Sequence, residues 1–303
     1  MAMRVATFAL NDRMLSASLK TQSRMAEMQM QQASGQKSSA LGDYGASGKV
    51  LIDLEISIAR SQTYTASARE ASSRVEVMYG IMDTVNELLS NFRVALVGIK
   101  STSSNPETKQ ALAETAAYTM TELSTLLNTQ YEGRYLFGGS ATTTLPVDLA
   151  NYTLTDPTQP NTDYYKGNTT LASAQVSAEQ SVSYGIAASD MGFEKAFRSF
   201  SIMADTNGVF DVDTVDASLN LIMQAIDRTA GVQGTLALNA SALERAIRRE
   251  EDFQEMFSSN LSDVRDVDIT QVAVRLTAYE VQLQASFATM AKMSNLSLLD
   301  YLR

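Results

Sequence analysis

Residues 75–99 read VEVMYGIMDTVNELLSNFRVALVGI and carry the most regular apolar spacing in the chain. Apolar residues recur in it at alternating three- and four-residue steps, without a miss over eight positions. This spacing places them on one side of an α-helix, in a narrow stripe that packs against other helices. The sequence therefore predicts a long helix over about residues 49–100, within a coiled-coil-like bundle. The stripe consists of Val75, Met78, Met82, Val85, Leu89, Phe92, Leu96 and Ile99.

A strong helix-start signal follows this stripe. Asn105 is a favourable N-cap residue, Pro106 fits the first position of a helix, and Glu107 places an acid in the first turn. The helix that begins here extends to about residue 130 and is expected to return antiparallel to its predecessor. Two paired helices leave one apolar stripe uncovered, so further helices are expected to complete the bundle.

The composition changes in the middle of the chain. Thr, Asn, Asp, Pro and Tyr replace Ala, Leu and Met over residues 139–190, and the alternation within 173–183 is typical of β-strands. We predict short helices over 191–203 and 218–228, then a long helix over 233–261. The predicted fold class is mostly α, with a long coiled-coil-like helical rod formed by the N- and C-terminal parts and a small β-rich inserted domain.

Both ends of the chain carry an apolar stripe that needs a partner. Residues 269–293 read ITQVAVRLTAYEVQLQASFATMAKM, and only Ser286 interrupts their three-four spacing. Residues 4–34 predict another helix with a thinner stripe. Helices with such narrow stripes are marginal in isolation, because their stability depends on packing. The two stripes therefore predict contact with each other or with a neighbouring subunit, and they favour a role in assembly over a role in catalysis.

The composition argues against several classes of function. The 303 residues include no His, no Cys and no Trp, so the usual general base, the thiolate nucleophile and the common zinc ligands are missing. The net charge of −10 and the lack of a basic run argue against nucleic acid and membranes as partners. No stretch is apolar enough to span a bilayer, and the first twenty residues lack a secretory signal.

Two local patterns could suggest a ligand site, and neither has the required spacing. The glycines of residues 133–139 lack the Lys that follows a phosphate-binding loop, so we interpret them as a turn. The acidic residues of 250–252 and 263–268 lack the spacing of an EF-hand and are typical of a solvated helix face. We therefore predict no catalytic residue, no metal site and no cofactor.

Four sequence motifs, in this order along the chain, resemble the flagellin family, in particular its hook-associated members at the junction of hook and filament. They are Met3-Arg4-Val5-Ala6-Thr7 at the start, Gly133-Arg134-Tyr135-Leu136-Phe137-Gly138-Gly139 after the second bundle helix, Tyr164-Tyr165-Lys166-Gly167-Asn168 in the insertion, and Ser297-Leu298-Leu299-Asp300-Tyr301-Leu302 at the end. The resemblance covers nearly the whole chain.

This resemblance implies an extracellular structural subunit of the bacterial flagellum, exported through the type III apparatus without a cleaved signal peptide. Its expected partners are further copies of itself, an adjoining hook-associated protein, flagellin and an export chaperone. Its expected segments are an inner-tube helix (1–42), the first half of the rod (43–138), the outer insertion (139–190), the second half of the rod (191–262) and a second inner-tube helix (263–303). The expected subunit contacts are Val5, Phe8, Leu15, Leu19, Leu276, Tyr279, Leu283, Phe287, Met290, Leu298, Leu299 and Leu302.

Two alternatives remain open from the sequence. A filament flagellin shares the same terminal helices and differs in copy number. An intracellular helical scaffold or chaperone shares the heptads and has no need of an export-competent N-terminus. An enzyme is the least favoured class, because the chain lacks the His and Cys residues on which many catalytic sites depend.

Overall fold

The protein is described here by a computed structural model, which covers the backbone of residues 2–101, 105–150, 152–154 and 156–301. Side chains are described for the same residues except 2–9, 101 and 294–301. The helices are α1 (Ala2–Ser34), α2 (Ser47–Ser101), α3 (Pro106–Leu127), α4 (Met191–Ala204), α5 (Val212–Arg265) and α6 (Ile269–Tyr301). The strands are β1 (Gln130–Tyr131), β2 (Arg134–Tyr135), β3 (Ala172–Gln175) and β4 (Ser181–Tyr184). The predicted mostly-α fold with a small β insertion is confirmed.

The chain divides into two compact units. Residues 1–59 and 254–303 form the terminal unit, and residues 60–253 form the central unit. Helices α2 and α5 contribute to both units. The segment boundaries drawn from the sequence stay predictions.

Helix α5 is longer than the sequence indicated. The helices predicted over 218–228 and 233–261 are one continuous helix, so the predicted break between them is wrong. Gly231 and Gly234 lie in this helix with helical backbone and open space around them. Glycine weakens a helix by about 1 kcal/mol relative to alanine without stopping it, and packing of the flanking apolar residues maintains the helix here.

The core of the central unit is built on the stripe of α2. All eight residues of that stripe are buried, which confirms the interpretation of the spacing. The predicted start of α3 is also confirmed, because the side chain of Asn105 accepts a hydrogen bond from the main-chain nitrogen of Thr108 at 2.9 Å. Helix α3 packs against α4.

Helix α4 lies inside the central unit, with ten of its fourteen residues buried. Its aromatic rings hold the surrounding elements together: Phe200 meets Phe92 of α2 edge-on at 4.8 Å, and Phe197 lies 4.4 Å from the ring of Tyr164. The buried carboxylate of Glu194 pairs with Arg198 one turn later, at 3.2 Å. It also accepts a hydrogen bond from the main-chain nitrogen of Asn161 at 3.0 Å, which fixes the insertion to α4.

The β structure consists of two antiparallel pairs. Strands β1 and β2 form a tight hairpin after α3, with Glu132 and Gly133 at positive φ in its turn. Strands β3 and β4 pair from Ala172 with Tyr184 to Gln175 with Ser181. The alternation predicted within 173–183 is therefore divided between two short strands and the turn that joins them.

In the terminal unit, α1 and α6 pack against each other. An antiparallel bridge joins Gln36 to Asp266, directly after α1 ends and directly before α6 begins. The main-chain nitrogen of Lys37 donates to the oxygen of Arg265 at 2.8 Å, and that of Val267 donates to Gly35 at 2.9 Å. These bonds fix the two helices side by side in opposite directions. Among the described residues, no helix is long and apolar enough to cross a membrane.

Candidate assembly surface of the terminal helices

Helix α1 presents a mixed inner face to α6. Ser18 and Thr21 are buried, and the methionines on either side of them are half-buried. The hydroxyl of Thr21 donates to the oxygen of Ala17 at 3.0 Å, whereas the hydroxyl of Ser18 has no hydrogen-bond partner among the described residues. A buried polar group without a partner is destabilising. The inner face therefore holds α6 more weakly than an all-apolar seam. It consists of Met14, Ser18, Thr21, Met25 and Met28.

Helix α6 contributes the predicted three-four seam to the same contact. Val272 is buried, and the next seam residues are only half-buried. The structure thus places four of the sequence-predicted contact residues on the face that α1 partly covers: Leu276, Tyr279, Leu283 and Met290. Their contact with another subunit stays a prediction, and any such contact has to use the part of each side chain that α1 leaves uncovered.

A second, outer surface remains uncovered on both helices. Leu15 and Leu19 of α1 are 48% and 56% exposed, turned away from the inner face. On α6, Val274 and Val281 lie seven residues apart on the side opposite the seam and are 67% and 60% exposed. Phe287 is also exposed, at the edge of the seam, about 120° around the helix from Val281. Each terminal helix therefore has one face in contact within the chain and another apolar face in solvent. Helices with two apolar faces need two partners to bury both.

The remaining sequence-predicted contact residues cannot be assigned to a face. Val5 and Phe8 lie on α1, and Leu298 and Leu299 lie on α6, with side chains outside the described residues. Leu302 lies outside the described residues altogether.

The sequence interpretation missed two parts of this surface. The inner face of α1 follows the same three-four spacing as the other stripes, from Met14 to Met28, but Ser18 and Thr21 made it look polar. The outer valines of α6 were overlooked because the seam residues between them gave the stronger periodic signal. Accepting Ser and Thr in a stripe that methionines flank would have revealed the first of these.

A joint connects the linker that follows α1 to the C-terminal end of α5. The ammonium group of Lys37 donates to the main-chain oxygens of Asp263 and Val264, at 2.7 and 2.8 Å. A cation in this place satisfies the free carbonyls at the C-terminus of α5 and complements the helix dipole. The hydroxyl of Tyr44 donates to the oxygen of Ser38 at 2.7 Å.

An ion pair lies at the same joint. The guanidinium of Arg265 donates to the carboxylate of Asp266 at 2.8 Å, and the hydroxyl of Ser262 donates to the other carboxylate oxygen at 2.8 Å. The hydrogen bonds from Arg265 and Ser262 lower the pKa of Asp266 below its usual range. Both donors lie in the last turn of α5, so these bonds hold the Asp266 side chain against the end of that helix.

The described residues offer little for ligand chemistry. They contain no group of three or more His, Cys, Asp or Glu side chains arranged to hold a metal ion. A shallow pocket of about 290 Å³ lies beside the start of α4, and its charged lining residues are Asp190 and Arg228. These two pair with each other through two hydrogen bonds, at 3.0 and 2.7 Å, so neither offers an unmatched charge to a ligand.

Comparison with known proteins agrees with this architecture. The profile of the bacterial flagellin N-terminal helical region matches residues 5–142, and that of the bacterial flagellin C-terminal helical region matches residues 219–302. Together the two regions account for well over half of the chain. The chain belongs to the bacterial flagellin family. It is accordingly a structural subunit of the bacterial flagellum, and family membership points to a non-enzymatic protein.

Solved structures share the fold of this flagellin-family protein at low sequence identity. A Vibrio parahaemolyticus protein assigned to the flagellar hook-associated class has a TM-score of 0.62 and 15% identity, over 74% of this chain and 100% of its own. Hook-associated protein 3 of Legionella pneumophila has a TM-score of 0.58 and 14% identity, over 70% and 98%. FlgL of Xanthomonas campestris has a TM-score of 0.58 and 12% identity, over 69% and 99%. No curated protein matches the sequence significantly.

Proposed function

We propose that this flagellin-family protein joins the flagellar hook to its filament and assembles through its terminal helices. The fold it shares with hook-associated proteins supports the junction role, and the motifs in residues 133–139, 164–168 and 297–302 favour it over a filament flagellin. The protein acts outside the cell as part of the axial structure.

The uncovered outer surface of the terminal helices is the observation on which the assembly mechanism depends. Because α1 and α6 already cover part of each other, a second apolar face on each helix remains for a neighbouring subunit. Contacts between different faces of identical subunits are heterologous, and they build a helical array when the rotation between copies does not close into a ring. Leu15 and Leu19 provide such a face on α1.

The same surface suggests the route of assembly. A chain with weakly paired terminal helices can travel unfolded through the type III export apparatus with the help of a chaperone, and no cleaved signal peptide is needed. After export, neighbouring copies, the adjoining hook-associated protein and flagellin supply the apolar surface that the terminal helices lack. The lack of Cys suits this route, because no disulfide has to form or break during passage.

Deletion of the gene tests the junction role directly. Cells without this protein should carry hooks without filaments and should release flagellin into the medium, because the filament has nothing to attach to. Partial or altered filaments would instead identify the protein as a filament flagellin. Retention of the protein in the cytoplasm of flagellated cells would support an intracellular scaffold, and both of these outcomes contradict the proposal.

A further inference from the structure

The β3–β4 hairpin of the central unit is too small to be stable alone. Each strand has four residues, and isolated two-stranded hairpins of this length are marginal in water. Its turn is closed locally, because the main-chain nitrogens of Val176 and Ser177 both donate to the oxygen of Gln180, at 2.9 and 3.2 Å. The hairpin must therefore obtain most of its stability from the helices beneath it.

One face of the hairpin is built into the core of the central unit. Ala174, Val176 and Tyr184 are buried, and Val176 is completely inaccessible to solvent. They belong to the same apolar cluster as two stretches of helix, one on α2 and one on α5. The α2 stretch contributes Ala68, Ala71, Val75 and Met78, and the α5 stretch contributes Leu243 and Ala246.

Polar contacts fix the hairpin to both helices. The guanidinium of Arg249 on α5 donates to the side-chain oxygen of Gln180 at 3.1 Å. On α2, Arg74 is buried, lies 3.5 Å from the hydroxyl of Tyr184 and pairs with Glu70 at 2.7 Å. After Tyr184 the chain passes directly over α2, and a Cβ atom on Gly185 would lie 3.2 Å from the sulfur of Met78. Gly185 has a φ of 88°, so a larger residue there would also strain the backbone.

The lengths of the helices explain why the first half of α2 is covered by the hairpin and not by α3. Helix α3 begins just after α2 ends and has 22 residues, so it is long enough to cover α2 no further back than about residue 80. The part of α2 before that point, with the matching part of α5, forms a two-helix segment that α3 does not cover. The hairpin lies on this segment and supplies the third layer that buries its seam.

We propose that the β3–β4 hairpin is a detachable clasp that holds residues 61–78 of α2 against residues 243–252 of α5. When the clasp lifts, these two stretches open together, while the part of the central unit built on α3, α4 and residues 85–99 of α2 stays folded. This inference goes beyond the proposed function, because it assigns a conformational role to the insertion that does not depend on assembly.

Hydrogen exchange of the full-length protein, followed by mass spectrometry, tests the clasp. The double variant V176A/Y184A removes the buried side chains of the hairpin. Amide exchange should then accelerate at least about tenfold over residues 61–78 and 243–252, and it should stay within about twofold over residues 85–99 and 108–126. Glu179→Ala, at an exposed position of the same turn, is the matched control and should exchange as the parent protein does.

A milder variant keeps the test decisive if the double variant does not fold. Arg249→Met removes the hydrogen bond to Gln180 without opening the core, and it should accelerate exchange by a smaller factor in the same two stretches. Uniform acceleration over the whole central unit would overturn the proposal, because the hairpin would then belong to one cooperative unit. Acceleration confined to the hairpin itself would overturn it too, because the helices would then not depend on it.

Discussion

The ammonium group of Lys37 lies 2.7 Å from the main-chain oxygen of Asp263, although 226 positions of sequence separate the two residues. Lys37 lies in the linker after α1, and Asp263 lies in the last turn of α5. The contact therefore joins the linker between α1 and α2 to the end of α5, just before α6 begins. It anchors the linker that follows α1 to the C-terminal end of α5 through a charge and two hydrogen bonds.

The first prediction concerns this joint. Lys37→Met should weaken the terminal pair by about 1 kcal/mol, because a cation at a helix C-terminus contributes about that much and the carbonyls of Asp263 and Val264 lose their donor. Limited proteolysis of the monomer should then cut α1 faster than in the parent. Lys49→Met, an exposed lysine in the same unit, is the control. Equal cleavage rates in the two variants would show that the Lys37 contact is not stabilising.

The sequence predicts the buried residues correctly where a helix carries a single apolar stripe. The eight residues from Val75 to Ile99 were all predicted as core and are all buried. The N-cap at Asn105 was equally predictable, because its chemistry is local. The continuity of α5 was missed at Gly231 and Gly234, because helix propensity is local and packing overrides it.

The two faces of the terminal helices were harder to separate. On α6 the predicted contact residues combine the half-buried seam toward α1 with the exposed Phe287, so the periodic pattern alone does not separate an intrachain contact from an intersubunit one. The distinction depends on which face α1 covers, and that follows from the joint at Gln36 and Asp266. The β-hairpin clasp was not foreseen either, since its partners on α2 and α5 are distant in sequence.

The second prediction concerns the inner face of α1. Ser18→Ala removes a buried hydroxyl that lacks a partner among the described residues and introduces a better helix former. The terminal pair should become more stable by about 1 kcal/mol, which is the usual cost of such an unpaired group. Hydrogen exchange across α1 should slow accordingly.

Ser16→Ala is the matched control for this prediction, because Ser16 is exposed on the same helix and differs only in its surroundings. Both variants gain the same helix propensity, so the difference between them isolates the buried hydroxyl. If Ser16→Ala slows exchange as much as Ser18→Ala, then the seam between α1 and α6 is not limited by its polar residues.

The third prediction separates assembly from folding. Leu19→Asp should leave the stability of the monomer within about 0.5 kcal/mol of the parent, because the side chain is more than half exposed. It should abolish incorporation into flagella, since an unpaired carboxylate in a subunit interface costs several kcal/mol. Leu283→Asp is a less clean test, because Leu283 is half-buried against α1 and its loss also disturbs the terminal pair.

Lys20→Gln is the control for this interface variant. It lowers the net charge by one, as Leu19→Asp does, but it changes an exposed residue without removing apolar area. Imaging of cells that carry each variant should show filaments with Lys20→Gln and bare hooks with Leu19→Asp. Normal filaments with Leu19→Asp would exclude the outer surface of α1 as a subunit contact.

The last prediction concerns the insertion at alkaline pH. Burial raises the pKa of Tyr152 to about 12 and that of Tyr165 to about 12, and burial also raises the pKa of Tyr164. In the unfolded chain these phenols ionise near pH 10, so between about pH 10 and 12 the folded protein holds more protons than the unfolded chain. Their contribution to stability is therefore complete below pH 10 and is lost as the pH rises toward 12.

Urea unfolding at several pH values between 9 and 11.5 measures this loss. Each buried tyrosine can lower the unfolding free energy by up to about 1.4 kcal/mol per pH unit in that range. Tyr152→Phe should make the decline less steep, because it removes one of these phenols, and at neutral pH it should cost little, since the Tyr152 hydroxyl has no partner among the described residues. Tyr118→Phe, which removes a largely exposed phenol, is the control. A decline equally steep in Tyr152→Phe and in the parent would mean that ionisation of Tyr152 does not drive the alkaline unfolding.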